Sequence, residues 1–242
     1  VPPGRAGHGF CQLGDTVAGL LVGGYNDTGP LDDVWLFDLS RGGHGVWQRV
    51  HYDKSRSNPL PRVDFAGCVL DEGGASFYLV GGMASDGEEV LIYNDLWKFE
   101  LSSGVWSVVM EECPWSERMG HVCVALNGGN MVVHGGQCMG KVLGDTWLYN
   151  EAANTWIPLS FTSPRPTSRC AHSACFLRGS ATLLLFGGYC LEDGEPLYLN
   201  DLWALDLSSF NLATPTASLL SWRRIAASEG GICPSPRDLP AM

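Results

Sequence analysis

The chain has 242 residues, 45% hydrophobic and 17% charged, which is enough apolar material for a packed core and too much for a disordered chain. Twenty-six acidic against 15 basic side chains leave a formal charge of −11, which argues against a nucleic-acid or acidic-membrane surface and permits a basic partner. No run approaches the ~18 apolar residues of a membrane span, while 31 glycines and 9 tryptophans suit an all-β chain of tight turns and aromatic anchors.

Taken in chain order, Arg5 and His8 precede a first apolar strand, "HGFCQLG" at 8–14. "TVAGLLVGG" at 16–24 is nearly continuous in apolar residues, as a strand covered on both faces would be, and it stops at Gly23 and Gly24. An acidic loop leads to "DVWLFDL" at 33–39, which alternates, and "GVWQRV" at 45–50 predicts a fourth strand around Trp47. A polar connector, "DKSRSNPLPR" at 53–62, ends on Arg62, and the same order begins again.

Four passes through one pattern follow. The openings are Arg5/His8, Arg62/Phe65, Arg118/His121 and Arg169/His172. The glycine pairs are Gly23-Gly24, Gly81-Gly82, Gly135-Gly136 and Gly187-Gly188, each 17 to 19 residues after its Arg. An Asp and a Trp two residues later follow: Asp33/Trp35, Asp95/Trp97, Asp145/Trp147 and Asp201/Trp203. Each unit closes on a second tryptophan, Trp47, Trp106, Trp156 or Trp222. The repeats span about 5–61, 62–117, 118–168 and 169–236, and Arg237 has the look of a fifth opening. The segment 207–225 lengthens the last turn of the fourth repeat; Pro215 breaks any continuous helix there, so a surface insertion is expected.

A single four-stranded sheet with two apolar faces must stack on copies of itself, and radial stacking gives a β-propeller. The ordered set of Arg-x-x-His, Gly-Gly, Asp-x-Trp and closing Trp resembles the kelch-repeat family over essentially the whole chain. That resemblance implies a single all-β domain over 1–242, a propeller of four-stranded antiparallel blades, part of a larger ring of five to seven blades, with a closed four-bladed ring as the alternative. It also implies a protein-interaction or scaffold module without chemistry of its own. A catalytic neighbour in a longer protein is compatible with that.

No residue set suggests catalysis, a cofactor or a metal. The nine cysteines form no CxxC and no zinc-like cluster with histidine. Cys11, Cys68 and Cys175 share one repeat position and read as small buried hydrophobes, and the set favours a reducing intracellular compartment, cytoplasm or nucleus. "VPPGRAGHGF" lacks the apolar core of a secretory leader. His8, His121 and His172 are expected to make structural hydrogen bonds, and His134 to be a tolerated substitution where the other repeats carry Val or Phe. A carbohydrate-processing or oxidase-type enzyme and a structural component of a large assembly are the alternative functions.

Recognition of a partner protein or adjacent domain is expected on the loop face, where the connectors before each Arg meet the loops after each Gly-Gly. The candidate contacts are Arg62, Arg118 and Arg165 on the connectors, Glu88, Glu89, Glu192 and Asp193 on the acidic loops, and Tyr25 and Tyr189 beside them, with the repeat arginines Arg62 and Arg118 also readable as scaffold hydrogen-bond donors. The acidic loops point to a basic partner, and an incomplete ring would promote self-association.

Overall fold

The computed structural model describes residues 1–40, 44–70, 74–85, 89–211, 219–226 and 234–236. The expectations resting on Glu88, Pro215 and Arg237 lie outside these residues. Among the described residues the chain is all β apart from one short 3-10 turn, Arg178–Ser180.

Each repeat folds into an antiparallel meander. The first sheet runs Gly9–Gln12, Ala18–Val22, Val34–Asp38 and Val46–Val50. The second runs Ala66–Val69, Ser76–Ser85, Val90–Glu100 and Val105–Met110. The third comprises Val122–Ala125, Asn130–His134, Thr146–Asn150 and Thr155–Pro158, and the fourth Ser173–Leu177, Thr182–Phe186, Leu202–Asp206 and Leu220–Ile225. This is the topology of a propeller blade.

Contacts divide the chain into two units of two sheets each, Val1–Met119 and Gly120–Met242. In the first unit, Leu20, Val22 and Val34 of the first sheet meet Phe77, Phe99 and Trp106 of the second in one apolar seam. Phe77 and Phe99 are 1% and 0% exposed. In the second unit Val132 and Leu148 pack against Leu183, Leu205 and Trp222 in the same way. The two seams are the cores that no sheet could provide alone.

Registers repeat with the sequence. Phe37 lies opposite Trp47, Phe99 opposite Trp106, Tyr149 opposite Trp156 and Leu205 opposite Trp222. The ring centroids of the three aromatic pairs are 4.7, 4.9 and 5.0 Å apart. The closing tryptophan is thus one half of a cross-strand pair, which sets the register of the outermost strand.

Two features depart from the four-strand expectation. Phe161–Thr162, placed by sequence in a connector, pairs parallel with Leu220–Ile225 and makes the last sheet five-stranded. The loops after the glycine pairs also carry strands, at Tyr25–Asn26 with Gly29–Pro30, Gln137–Cys138 with Lys141–Val142, and Tyr189–Glu192 with Glu195–Tyr198. In the second repeat the central strands run on through this loop. Met83 pairs with Ile92 and Ala84 with Leu91, and the ladder is interrupted only by a register shift between Val80 and Gly82.

Candidate interaction face

The repeat motif converges at the end of each sheet that carries these loops. Arg62 donates to the Gly81 carbonyl at 3.0 Å and to Asp95 Oδ1 at 2.7 Å, and the Trp97 indole donates to Asp95 Oδ2 at 2.7 Å. Arg5 bonds the Gly23 carbonyl and both oxygens of Asp33, which also accepts from Trp35. Arg169 does the same with Gly187 and Asp201, with Trp203 completing the set. Asp145 accepts from Trp147 at 2.7 Å. Burial pushes the Asp33 and Asp201 carboxyls up, but the hydrogen bonds and charge of Arg5 and Arg169 outweigh it and hold both below the usual range.

The repeat arginines also accept through their backbone carbonyls from the second glycine of each preceding pair. Gly24 N–H donates to the Arg62 carbonyl at 3.4 Å, Gly82 N–H to that of Arg118 at 2.9 Å, and Gly136 N–H to that of Arg169 at 2.9 Å. This approach requires glycine. Gly82 has φ +95° and a Cβ there would lie 2.6 Å from Phe65 Cβ; at Gly24, with φ +92°, it would lie 2.6 Å from the Ala6 carbonyl oxygen.

This geometry corrects two candidate contacts. Arg62 and Arg118 are 3% and 0% exposed. The Arg62 guanidinium is held by Asp95 and Gly81 and stacks 4.1 Å over the Tyr93 ring. Arg118 donates to the Ser116 carbonyl and lies 4.9 Å over the Trp115 ring. A guanidinium so enclosed serves the scaffold and does not present itself to a partner. Arg165, Glu89, Glu192 and Asp193 are exposed. Tyr25 is 48% exposed, whereas Tyr189 is half-buried and donates to Gln137 Oε1 at 3.2 Å.

The histidines depart from expectation as well. Both ring nitrogens of His172 are buried without a hydrogen-bond partner among the described residues. The ring instead packs against the backbone at Gly135, where a Cβ would meet His172 Cε1 at 2.8 Å. His134 is no neutral substitution: its Nδ1 is 2.8 Å from Thr146 Oγ1, and its ring meets that of His172 edge-on at 5.3 Å. Cys68 is buried; Cys11 is half-buried, and burial together with the neighbouring Cys68 pushes its thiol up to about 12. No group of three His, Cys, Asp or Glu among the described residues has the geometry of a metal site.

The loops of the first unit enclose a cleft of about 340 Å³ lined by Pro30, Leu60, Pro61, Ala84, Leu91 and Tyr93. Leu60 and Leu91 are 55% and 47% exposed. Three chain segments supply it: the hairpin after Gly23-Gly24, the connector before Arg62, and the extended hairpin after Gly81-Gly82. The second unit has the repeat-equivalent cleft, about 410 Å³, lined by Val142, Thr167, Ser168, Leu191, Glu192 and Leu197 among others. Sequence reasoning missed Pro30, Leu60 and Leu91; the signal was the apolar "VLIY" placed directly after an acidic loop.

A family model described as the KLHDC2/KLHL20/DRC7 Kelch-repeats domain matches residues 73–242. F-box/kelch-repeat protein At1g51550 of Arabidopsis thaliana is 29% identical over 86% of the chain. Tip elongation aberrant protein 1 of Schizosaccharomyces pombe is 30% identical over 69% of it, and human Host cell factor 2 is 30% identical over 81%. The chain spans 44%, 14% and 26% of the lengths of these three relatives. With its four-stranded blades, Arg–Asp–Trp clusters and glycine-pair stitches, the chain belongs to the kelch-repeat family.

Proposed function

We propose that this chain is a protein-binding module that holds a partner protein or an adjacent domain on its loop face. Kelch repeats generally serve as interaction and adaptor modules, which agrees with this reading. The observation that carries it is the apolar cleft of the first unit, where Leu60 and Leu91 stay exposed at the meeting of three loops. Exposed aliphatic side chains that line a cleft offer burial to an incoming side chain. The loops of each unit are acidic: Asp27, Asp32 and Glu89 in the first, and Glu192, Asp193 and Glu195 at the equivalent loop of the second. A segment with Lys or Arg flanking an apolar residue satisfies both, the charge steering the encounter and the apolar residue holding it. Tyr25 and Glu88 in the first unit, and Arg165 and Tyr189 in the second, would add contacts on the loops and connectors of their own unit. The alternatives of a carbohydrate-processing or oxidase-type enzyme find no convergent set of reactive groups among the described residues to favour them.

Selection of a random displayed-peptide library on the wild-type chain tests this. Enriched peptides should carry Lys or Arg beside an apolar residue, bind more slowly as salt rises, and lose binding when Glu89, Glu192 and Asp193 are reversed to Lys. Enrichment of acidic or uncharged peptides indifferent to salt, or no enrichment, overturns it.

A further inference from the structure

The clefts of the two units hold the same place in the repeat but are walled differently. In the first, Ala84 lies opposite Leu91 on the hairpin after the glycine pair; in the second, Cys190 lies opposite Leu197. Each couple lines the cleft of its own unit. The connector wall changes character between them. Leu60 and Pro61, the two residues before Arg62, line the first cleft; Thr167 and Ser168, the two before Arg169, line the second. An apolar wall has become a wall of hydroxyls, both on exposed residues. The Thr167 hydroxyl accepts from Arg169 Nη2 at a long 3.4 Å.

The hairpin of the second unit also brings charge to its cleft. Residues opposite each other in a two-stranded ribbon, and alternate residues along one strand, point to the same side. Cys190 and Leu197 therefore share their side with Glu192 and Glu195, which lie directly opposite each other. Glu192 lines the cleft, so Glu195 stands beside it at the mouth. Both are exposed, and among the described residues neither has an ion-pair partner. Like charges held directly opposite repel, and a cation between them turns that repulsion into attraction. The first cleft has no charged residue in its described lining.

We infer that the second cleft admits an arginine side chain of the bound partner protein, an assignment that rests on the loop-face reading above. The aliphatic stem lies along Val142 and Leu197, as long cationic side chains bury their methylenes while the head stays near water. The guanidinium meets Glu192 and Glu195. With five donors in a rigid fork, it also reaches the Thr167 and Ser168 hydroxyls. A lysine ammonium offers three donors from one point and holds its hydration more strongly, so it fits less well. The first cleft, walled by Leu60, Pro61, Ala84 and Leu91, takes an uncharged side chain instead.

Titration of the 242-residue chain, its leucine and valine methyls isotope-labelled for NMR, tests this with two probes, acetyl-arginine amide and acetyl-lysine amide. Arginine amide should move the Val142 and Leu197 methyl resonances before those of Leu60 and Leu91, and lysine amide should need severalfold more to do so. Glu192→Gln should weaken the arginine response by about fivefold, the upper end for one exposed ion pair. Glu195→Gln should weaken it too. Both are exposed hairpin positions, so the methyl spectra of the probe-free variants should otherwise match the wild type. Equal responses to the two probes, a response that survives Glu192→Gln, or no response at Val142 and Leu197 overturns the arginine assignment. Library peptides that still bind the chain in a salt-dependent way would then leave the loop-face reading standing, so the two failures are distinct.

Discussion

The rings of His134 and His172 meet edge-on across the seam between the third and fourth blades, 5.3 Å apart. In the first unit the equivalent positions are Val22 and Phe65, and Val34 stands where Thr146 bonds His134. One seam is wholly apolar; the other has exchanged three apolar side chains for His134, Thr146 and His172 together. Burial, then the neighbouring His134, Arg169 and His121, holds the His172 ring well below its usual 6.5. Below about pH 6.5 the unfolded chain takes up a proton at this residue that the folded seam refuses. Stability should be full above that pH and fall beneath it by up to ~1.4 kcal/mol per pH unit. The triple variant His134→Val, Thr146→Val, His172→Phe, which copies the first seam, should weaken this dependence between pH 6.5 and 5, leaving the smaller part that comes from His8, which burial and then Arg5 also hold below 6.5. Urea unfolding followed as a function of pH reads both outcomes.

A separate acid window belongs to the carboxylates. Asp33 and Asp201 have folded values below their ordinary 3.8, so their contribution is present above about pH 4 and is lost as the pH falls through those lowered values. The triple variant should leave this lower transition in place, which separates the histidine effect from general acid unfolding.

Arg62 and Asp95 form an enclosed pair with side chains 3% and 10% exposed. Arg62→Ala leaves the Asp95 carboxylate buried with the Trp97 indole as its remaining donor from the triad, and should cost roughly 3–5 kcal/mol. Arg165→Ala, at an exposed position, should change stability by less than ~0.5 kcal/mol. Denaturant midpoints for the two variants make the comparison.

Glycines with positive φ should not respond alike to alanine. At Gly140, with φ +79°, an added Cβ meets nothing within 4 Å, so Gly140→Ala carries backbone strain alone, about 1 kcal/mol. At Gly82 the Cβ also collides with Phe65 and displaces the bond to the Arg118 carbonyl, so Gly82→Ala should cost more than ~2 kcal/mol. Thermal unfolding of the pair, with the difference as the readout, checks this.

Trp106 and Trp47 are repeat equivalents with unequal surroundings: Trp106 is 5% exposed inside a seam and Trp47 is half-buried. Trp106→Ala should cost roughly 3–5 kcal/mol. Trp47→Ala should cost clearly less, and urea unfolding of the two variants makes the comparison.

The order of the motifs by itself determines the four sheets. Gly23-Gly24, Asp33/Trp35 and Trp47 recur at near-constant spacing, and each feature marks a strand end, a strand start or a register pair, all of which are local. The roles of Asp95 and Trp97 were legible in part, since an acid two residues before an indole at a strand entrance is within reach of hydrogen bonds. What only the tertiary structure decided lies between segments far apart in the chain. Arg62 reads in sequence either as a scaffold hydrogen-bond donor or as a partner contact, and a carboxylate 33 residues away decides between them by drawing it inside. His134 reads in sequence as a tolerated substitution and His172 as a regular repeat position, because nothing in one dimension shows that a second strand, a third strand and the next blade's opening meet at one point. The cleft at Leu60 and Leu91 was hidden for the same reason. Periodicity tells which side of a strand is apolar, but whether that side is covered depends on what packs against it, and that is a property of the assembled blades.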